Sequence, residues 1–312
     1  MPSSDGNLAI VVVNYGSSAL LLQNLAPLAS ELPGATVVVV DNFTDEAERD
    51  AVAALCAARD WFCEASPVNL GFGSGMNRGV ARARAEGAAQ YLLLNPDAAL
   101  TAASTVRLLE AVRSDPLCAV APSVFRPDGS LWFGGADLYL ADGRIRSRAR
   151  HDHSARTEPW LSGACIMLSA ELWEAVGGFS DEYFLYWEDV DLSHRILRAG
   201  GRLEVSATAT AVHAEGGTQG VNAGSTGAPK SELYYYYNIR NRLLFASRNL
   251  GPEGLRAWKR TTLPVAWEVL LEGGRRQLLR SPRPLIAAAR GVRDGLRIAR
   301  RHRRTHSGGE RS

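Results

Sequence analysis

Leu8-Ala9-Ile10-Val11-Val12-Val13-Asn14-Tyr15 is an unbroken apolar run, mostly β-branched, that stops abruptly at Asn14 and Tyr15. Such a run reads as a strand buried on both faces, as in a parallel sheet. A helix-like stretch over 17–31 follows, then a second apolar run from Ala35 to Val40 that ends in Asp41-Asn42. The alternation continues with a helix over 45–58, a short strand near 61–65, a helix after Gly73 and a strand over 91–94. Strands alternating with helices predict an α/β fold: a doubly wound, mostly parallel central sheet with helices on both faces.

Ligands of such sheets bind beyond the carboxyl ends of the strands. Those ends carry Asn14 and Tyr15, Asp41 and Asn42, Asn69, and Asn95 with Asp97. Each residue alone also suits a turn; together they line one edge. The element Asn69-Leu70-Gly71-Phe72-Gly73-Ser74-Gly75-Met76-Asn77-Arg78-Gly79 lacks the dinucleotide-binding glycine spacing. Its glycines suit either close approach of an anionic ligand to a helix N-terminus or tight helix packing. In Leu92-Leu93-Leu94-Asn95-Pro96-Asp97, the acid falls just past a buried strand. There it can hold Mg²⁺ or Mn²⁺ and through it a diphosphate, or belong to the turn before a helix near Thr101.

Tyr183-Phe184-Leu185-Tyr186-Trp187-Glu188-Asp189-Val190-Asp191-Leu192 places three acids directly after large aromatics. Mutual repulsion in an apolar frame should perturb at least one pKa or demand a cation. The other reading is an ordinary helix start, with Glu188 and Asp189 at the N-terminus and Asp191 paired to Arg195.

Taken in order, Asp41-Asn42, the 69–79 loop, Asn95-Pro96-Asp97 and Glu188-Asp189-Val190-Asp191-Leu192 make residues 8–245 resemble the inverting GT-A glycosyltransferases of family 2, nearest their bacterial rhamnosyltransferase-like branch. The resemblance implies a GT-A fold and a pocket for a nucleotide sugar. Asn14, Tyr15 and Asp41 would line the base and ribose, with Asn69, Gly73 and Asn77 completing the wall. Asn95 and Asp97 stand at the family's Asp-X-Asp motif, with Asn95 replacing its first acid. Asp97 would ligate Mg²⁺ or Mn²⁺, and His213, in Val212-His213-Ala214-Glu215-Gly216-Gly217-Thr218, would be the second metal ligand. Asp189 would be the catalytic base, with Glu188 orienting the acceptor or tuning Asp189. Trp160, Gly163 and Trp187 would form the acceptor side. Arg240, in the Tyr234–Arg242 element, would contact a diphosphate, a core-packing helix being the alternative.

The implied activity is inverting transfer of a sugar, rhamnose from dTDP-rhamnose as the leading donor, to a glycan or lipid-linked glycan in cell-surface polysaccharide synthesis. The alternatives are a UDP- or GDP-sugar transferase acting on a small natural product, and a nucleotide-sugar-binding module without catalysis. An Arg-rich tail without stacking or base-reading elements argues against a nucleic-acid partner.

The 312 residues suffice for one large α/β domain or two smaller ones. The expected division is a catalytic domain over 1–250 and a basic helical C-terminal extension over 251–312 with a disordered tail. Cys56, Cys63, Cys118 and Cys165 lack metal-ligand spacing and read as reduced thiols of a cytoplasmic protein. The polar start and the short Leu8–Val13 run do not form a secretory leader, and no run has the length of a membrane span. The net charge of +2 hides an uneven distribution, since eleven arginines fall between 275 and 304.

In 285–301, Leu285, Ala289, Val292 and Leu296 approximate one apolar face among arginines. That pattern suits peripheral contact with an anionic membrane, at the inner face of the plasma membrane, or a solvated helix packed on the catalytic domain. The Gly- and Ser-rich stretch 214–231 is a linker or a lid. Asp128-Gly129 and Asp142-Gly143 mark short hairpins in the segment 122–159. The sequence sets no oligomeric state.

Overall fold

All seven residues of the first strand, β1 (Leu8–Asn14), are buried, which such an apolar run permits only at the centre of a sheet covered on both faces. The structure, a computed structural model, describes residues 7–213 and 230–307, with the backbone alone at 150 and 302–307. After β1 come α1 (Ser18–Leu20), a π-helical turn over Leu21–Leu25, and α2 (Ala26–Glu31). Next are β2 (Thr36–Asp41), α3 (Glu46–Arg59), β3 (Phe62–Ala65), α4 (Phe72–Ala85), β4 (Gln90–Leu94), β5 (Ala98–Leu100) and α5 (Ala102–Ser114). Strands β6 (Cys118–Phe125), β7 (Leu131–Phe133), β8 (Ala136–Tyr139), β9 (Ile145–Ser147), β10 (Thr157–Trp160) and β11 (Cys165–Ser169) lead to α6 (Ala170–Val176), α7 (Glu188–Arg198) and β12 (Arg202–His213). The chain closes with α8 (Glu232–Asn249), α9 (Pro252–Arg260), α10 (Thr262–Leu271), α11 (Gln277–Arg280) and α12 (Arg283–Ser307).

The chain divides into two compact units: Met1–Ala136 with Pro159–Gly220, and Asp137–Glu158 with Val221–Ser312. The boundary expected at residue 250 falls inside the second unit, between α8 and α9.

The first unit is built on a sheet in the order β3-β2-β1-β4-β11-β6-β12-β5, with β7 on β6. β3, β2, β1 and β4 run parallel, as the alternating pattern predicts. Beyond β4 the sheet is mixed, because β11 lies antiparallel to both β4 and β6 while β12 runs parallel to β6. Helix starts obey local chemistry: the Asp45 carboxylate accepts from the Glu48 amide at 2.9 Å and Thr101 Oγ1 from the Ser104 amide at 3.1 Å. α4 begins at Phe72, so Gly73, Gly75 and Gly79 lie within its first turns. A β-carbon at Gly79 would stand 2.4 Å from Val11 Cγ1 and 2.9 Å from Val40 Cγ2. That glycine sets how closely α4 lies on the sheet.

In the second unit β8 is the middle of a three-stranded sheet, order β10-β8-β9, with Asp142-Gly143 at its hairpin turn as expected. Trp258 of α9 is fully buried, donates from Nε1 to the Leu140 carbonyl at 2.8 Å and stacks on Phe245 at 5.6 Å. The buried Arg242 donates to the carbonyls of Asp142 (3.0 Å) and Trp258 (3.1 Å) and to Thr261 Oγ1 (2.7 Å). Its burial lowers the guanidinium pKa to about 10 against the opposing pull of Asp142. The helix-like stretch 254–271 is two helices, broken at Thr261. The apolar face expected of α12 is not its buried one. Ala287, Ala288, Gly291, Gly295 and Ala299 turn inward, and β-carbons at 291 and 295 would meet the Tyr236 carbonyl at 2.7 Å and Leu243 at 3.1 Å. Close approach to α8 requires small residues there, leaving Leu285 and Ala289 exposed. The Gly- and Ser-rich stretch over 214–229 and the tail end over 308–312 lie outside the described residues.

Gly79→Ala tests the helix–sheet contact. Helix propensity alone would favour the alanine by about 1 kcal/mol, but overpacking against two β-branched side chains costs about 1–3 kcal/mol or more. The expected result is a net loss of stability in urea unfolding; a gain would mean that α4 lifts off the sheet without cost.

Candidate active site

The carboxyl ends of β1, β2 and β4 deliver the expected polar residues, and several are already engaged by protein. Asn14 donates from Nδ2 to Glu48 Oε1 at 2.9 Å, and its Oδ1 accepts from the Ser17 amide (3.2 Å) and hydroxyl (2.9 Å). Glu48 also accepts from the Ser18 amide at 2.6 Å. Burial raises its carboxyl pKa, but the bonds from Asn14 and Ser18 together outweigh it and hold the group below its usual range. Tyr15 is exposed. Asp41 is fully buried, with Oδ2 3.1 Å from Arg49 Nε and Oδ1 without a hydrogen-bond partner among the described residues.

Asn42 ties this edge to the glycine-rich element. Its amide donates to Asn69 Oδ1 and the Gly71 carbonyl, both at 3.0 Å, while its oxygen accepts from the Leu70 amide at 2.8 Å. Asn69 Oδ1 also accepts from the Gly71 amide at 2.8 Å. Gly71 has φ +81°, and a β-carbon there would lie 2.1 Å from the Phe184 carbonyl oxygen. That oxygen accepts from the Phe72 amide at 3.0 Å. Asn77, expected in the nucleotide wall, clamps Phe179 instead: it donates to the Phe179 carbonyl at 2.8 Å and accepts from its amide at 2.9 Å. Ser74 donates to Asp181 at 2.7 Å. Gly73 faces Phe179, with the Glu188 Cβ 3.6 Å from where its own β-carbon would stand. The glycine-rich element is therefore joined directly to the acidic loop.

That loop ends in two consecutive left-handed residues, Tyr186 (φ +63°) and Trp187 (φ +75°), each costing about 1–3 kcal/mol for a non-glycine. The turn presents Glu188, Asp189 and Asp191 at the start of α7. Asp191 is taken by Arg195 at 2.7 Å and by the Tyr183 hydroxyl, which donates at 3.3 Å. Asp189 Oδ2 accepts from the Gly163 amide at 3.0 Å and Oδ1 from the Val190 amide at 2.8 Å. Burial raises its pKa to about 6, with those amides pulling the other way. Burial, then the neighbouring Asp189 charge, pushes Glu188 well above the carboxylate range, and Glu188 Oε2 is buried without a hydrogen-bond partner among the described residues.

The Gly163 turn links these acids to the end of β4, since the Asn95 amide donates to the Ala164 carbonyl at 2.9 Å. On that turn Asp97 Oδ1 lies 3.0 Å from His213 Nε2. Despite the short separation neither atom makes a hydrogen bond with acceptable geometry among the described residues, nor do His213 Nδ1 and Asn95 Oδ1. Two buried atoms that can each offer a lone pair, 3.0 Å apart, fit a divalent cation, whose adjacent octahedral donors at roughly 2.1 Å stand roughly 3 Å apart. No group of three or more His, Cys, Asp or Glu suited to a metal occurs among the described residues. A cation held by this pair alone would need phosphate oxygens and water to complete its coordination.

Trp132, which the sequence did not single out, packs its ring 4.5 Å from that of His213, and Phe133 lies 5.4 Å from Trp160. Trp160 Nε1 is buried with no hydrogen-bond partner among the described residues. Trp187 is buried at the α7 start. Arg240 belongs to the second unit, where it donates to the Asn241 side chain. Glu48 and Trp132 were missed because each is placed through partners distant in sequence.

No protein-family model matches the chain. N-acetylglucosaminyl-diphospho-decaprenol L-rhamnosyltransferase of Mycobacterium tuberculosis is 30% identical over 221 residues, covering 62% of this chain and 71% of that protein. Low-salt glycan biosynthesis hexosyltransferase Agl10 of Haloferax volcanii is 24% identical over 265 residues, 83% of this chain and 81% of that protein. Mannosyltransferase PcManGT of Pyrobaculum calidifontis, solved with GDP-Man and Mn²⁺, superposes with a TM-score of 0.55 at 15% identity, over 96% of this chain and 87% of that one. At that identity the likeness is one of fold.

Asp189 makes stability depend on pH. Folded Asp189 keeps its proton up to about pH 6, whereas an unfolded aspartate releases it near pH 4. Its contribution favours folding below about pH 4 and is lost as pH rises through about 6. Asp189→Asn should therefore gain on wild type by up to about 3 kcal/mol between pH 4 and pH 7.5 in paired unfolding curves. A pH-independent difference would place the pKa of Asp189 at its ordinary value.

Proposed function

The chain belongs to the family 2 glycosyltransferases and has their GT-A fold, and from that premise we propose that it transfers L-rhamnose from dTDP-rhamnose, with inversion, to a lipid-linked glycan acceptor. The observation that carries the chemistry is Asp189, a carboxylate oriented by the amides of Gly163 and Val190 with its pKa raised to about 6. The sugar and acceptor rest on the name of the mycobacterial relative, a rhamnosyltransferase acting on a polyprenyl-diphosphate-linked N-acetylglucosamine. An acceptor of that kind would put the enzyme to work at the inner face of the plasma membrane.

At neutral pH Asp189 is ionised and accepts the proton of the acceptor hydroxyl as that oxygen bonds to the anomeric carbon. The bond from that carbon to the diphosphate breaks on the opposite face, and its electron pair leaves with the nucleoside diphosphate. One displacement inverts the anomeric centre and needs no covalent sugar–enzyme intermediate. Glu188, held well above the usual carboxylate range by burial and the neighbouring Asp189 charge, stands beside Asp189 to orient the acceptor. Asp41 Oδ1, buried and free of hydrogen bonds among the described residues, suits an N–H of the donor base. A Mg²⁺ or Mn²⁺ ion on Asp97 and His213 would neutralise charge developing on the departing diphosphate.

Asp189→Asn should lower kcat at least about a thousandfold, removing general-base catalysis together with the charge, while dTDP-rhamnose still raises the thermal midpoint of the variant. Substantial turnover would remove Asp189 as the base. For wild type, kcat/KM should rise with pH up to about 6 and level off above it. Asp97→Ala and His213→Ala should each need more Mn²⁺ for the donor-dependent thermal shift; an unchanged Mn²⁺ requirement would separate them from the metal. If GDP-mannose rather than dTDP-rhamnose stabilises the protein, the sugar assignment fails while the transfer chemistry stands.

A further inference from the structure

α10 is Thr-Leu-Pro-Val-Ala-Trp-Glu-Val-Leu-Leu, apolar on almost every side, yet only one side of it is covered. Val265, Ala266 and Leu270 face inward, the latter two joining Tyr235, Ile239, Ala287 and Ala288 in the core of the second unit. The opposite side leaves Leu263 70% and Trp267 51% exposed. An all-round apolar helix is ordinarily buried in protein or lipid. α10 and α11 both pack on α12, and α11 and the start of α12 expose further large apolar side chains: Leu279 is 90% exposed, Leu285 42% and Ile286 54%. Among the described residues no other part of the chain exposes so many large apolar side chains within so short a stretch.

The charge at this corner is one-sided. Arg275, Arg276 and Arg280 are exposed and have no carboxylate partner among the described residues. Arg283 has only Glu232, at 3.8 Å and exposed. The nearby acids are occupied: Glu268 holds Arg144, which donates from Nε at 2.7 Å and also from Nη2, and Glu272 accepts from the Tyr234 hydroxyl. Apolar side chains bordered by unpaired arginines match the boundary between headgroups and acyl chains of an anionic bilayer. A second copy of the chain fits less well, because a two-fold interface on this surface would set arginines against arginines.

We propose that the α10–α11–α12 corner docks on anionic membrane, with Leu263, Trp267, Leu279 and Ile286 entering the acyl boundary and Arg275, Arg276, Arg280 and Arg283 meeting lipid phosphates. The face differs from the Leu285–Ala289–Val292–Leu296 stripe expected of α12, and the proposal stands independently of the donor and acceptor reading.

Flotation of the full chain with vesicles of phosphatidylcholine alone, or with a quarter phosphatidylglycerol, is the test. Wild type should float with the anionic vesicles, lose binding as salt rises, and bind pure phosphatidylcholine at least tenfold more weakly. Each of Arg275→Gln, Arg276→Gln and Arg280→Gln should weaken binding about fivefold, and Trp267→Ser and Leu279→Ser about tenfold or more. Leu22→Ser, as exposed as Trp267 but in the first unit, should bind as wild type does. Because these side chains are exposed, thermal midpoints should not move. Equal binding to both vesicle types, or full binding by Trp267→Ser and Leu279→Ser, would overturn the proposal. So would a dimer in solution that Leu279→Ser dissociates while vesicle binding is absent, which would assign the corner to a second copy. Loss of rhamnosyl transfer would leave these outcomes unaltered, so the two readings fail separately.

Discussion

The close approach of two backbone segments, the Phe72 amide on the Phe184 carbonyl across Gly71, governs the candidate site. Any side chain at 71 would put a β-carbon 2.1 Å from that carbonyl oxygen, and the residue's φ of +81° is itself costly for all but glycine. Around this contact Asn42 holds the loop from one side, while Asn77 and Ser74 hold Phe179 and Asp181 from the other. Two consecutive left-handed residues, Tyr186 and Trp187, persist because these bonds over-determine the turn. The strain is spent on aiming Glu188 and Asp189. The glycine-rich element, whose sequence suits either an anionic ligand or tight packing, seats the acid-bearing loop through the contacts it makes.

Three acids within four residues meet three different sets of partners. Asp191 meets a guanidinium and a phenol, Asp189 meets two backbone amides, and the Oε2 of Glu188 meets no donor among the described residues. Glu188 and Asp191 are buried and Asp189 is half-buried. Asp189, held by two amides, has its pKa raised to about 6, while burial and the neighbouring Asp189 charge push Glu188 well above the carboxylate range. Two neighbouring carboxyls whose pKa values are raised to different extents stand side by side at one helix terminus.

What could be read from the sequence was what depends on neighbours close along the chain. The β1 run, the acids and amides at strand ends and the Asp142-Gly143 turn carry their own signals and stand where expected. The rest depends on partners that local pattern does not name. The hydrogen bonds of Asn77 go to Phe179, so its expected place beside a nucleotide had no local signal to contradict it. The α12 seam is made of alanine and glycine, which periodicity weighted toward large apolar residues overlooks. The mixed half of the sheet follows from β11 inserting between β4 and β6, a long-range pairing. The segment 137–158 belongs with the C-terminal helices because Arg242 and Trp258 bind its carbonyls, which a boundary drawn along the chain at 250 misses.

The pairing of Asp97 with His213 depends on the register of β12. His213 is opposite Ala98, the residue after Asp97, and the side chain turned inward at that level is His213 while its neighbour Val212 is exposed. Strand faces alternate with each residue, so a slip of one would exchange these two. β12 reaches this register through an irregularity: Val205 pairs with Ala121, but Thr210 pairs with Ser123, so that five residues of β12 advance against two of β6. An excess of three is odd and exchanges the faces of β12 relative to β6. Ser206 stabilises the excursion by accepting from the Thr208 and Ala209 amides at 3.3 and 3.0 Å. Without the excursion, unbroken pairing along β6 would carry Val212 to the inward position and His213 away from Asp97. The bulge is thus as much a part of the candidate metal pair as the two ligands, although it contributes no atom to it.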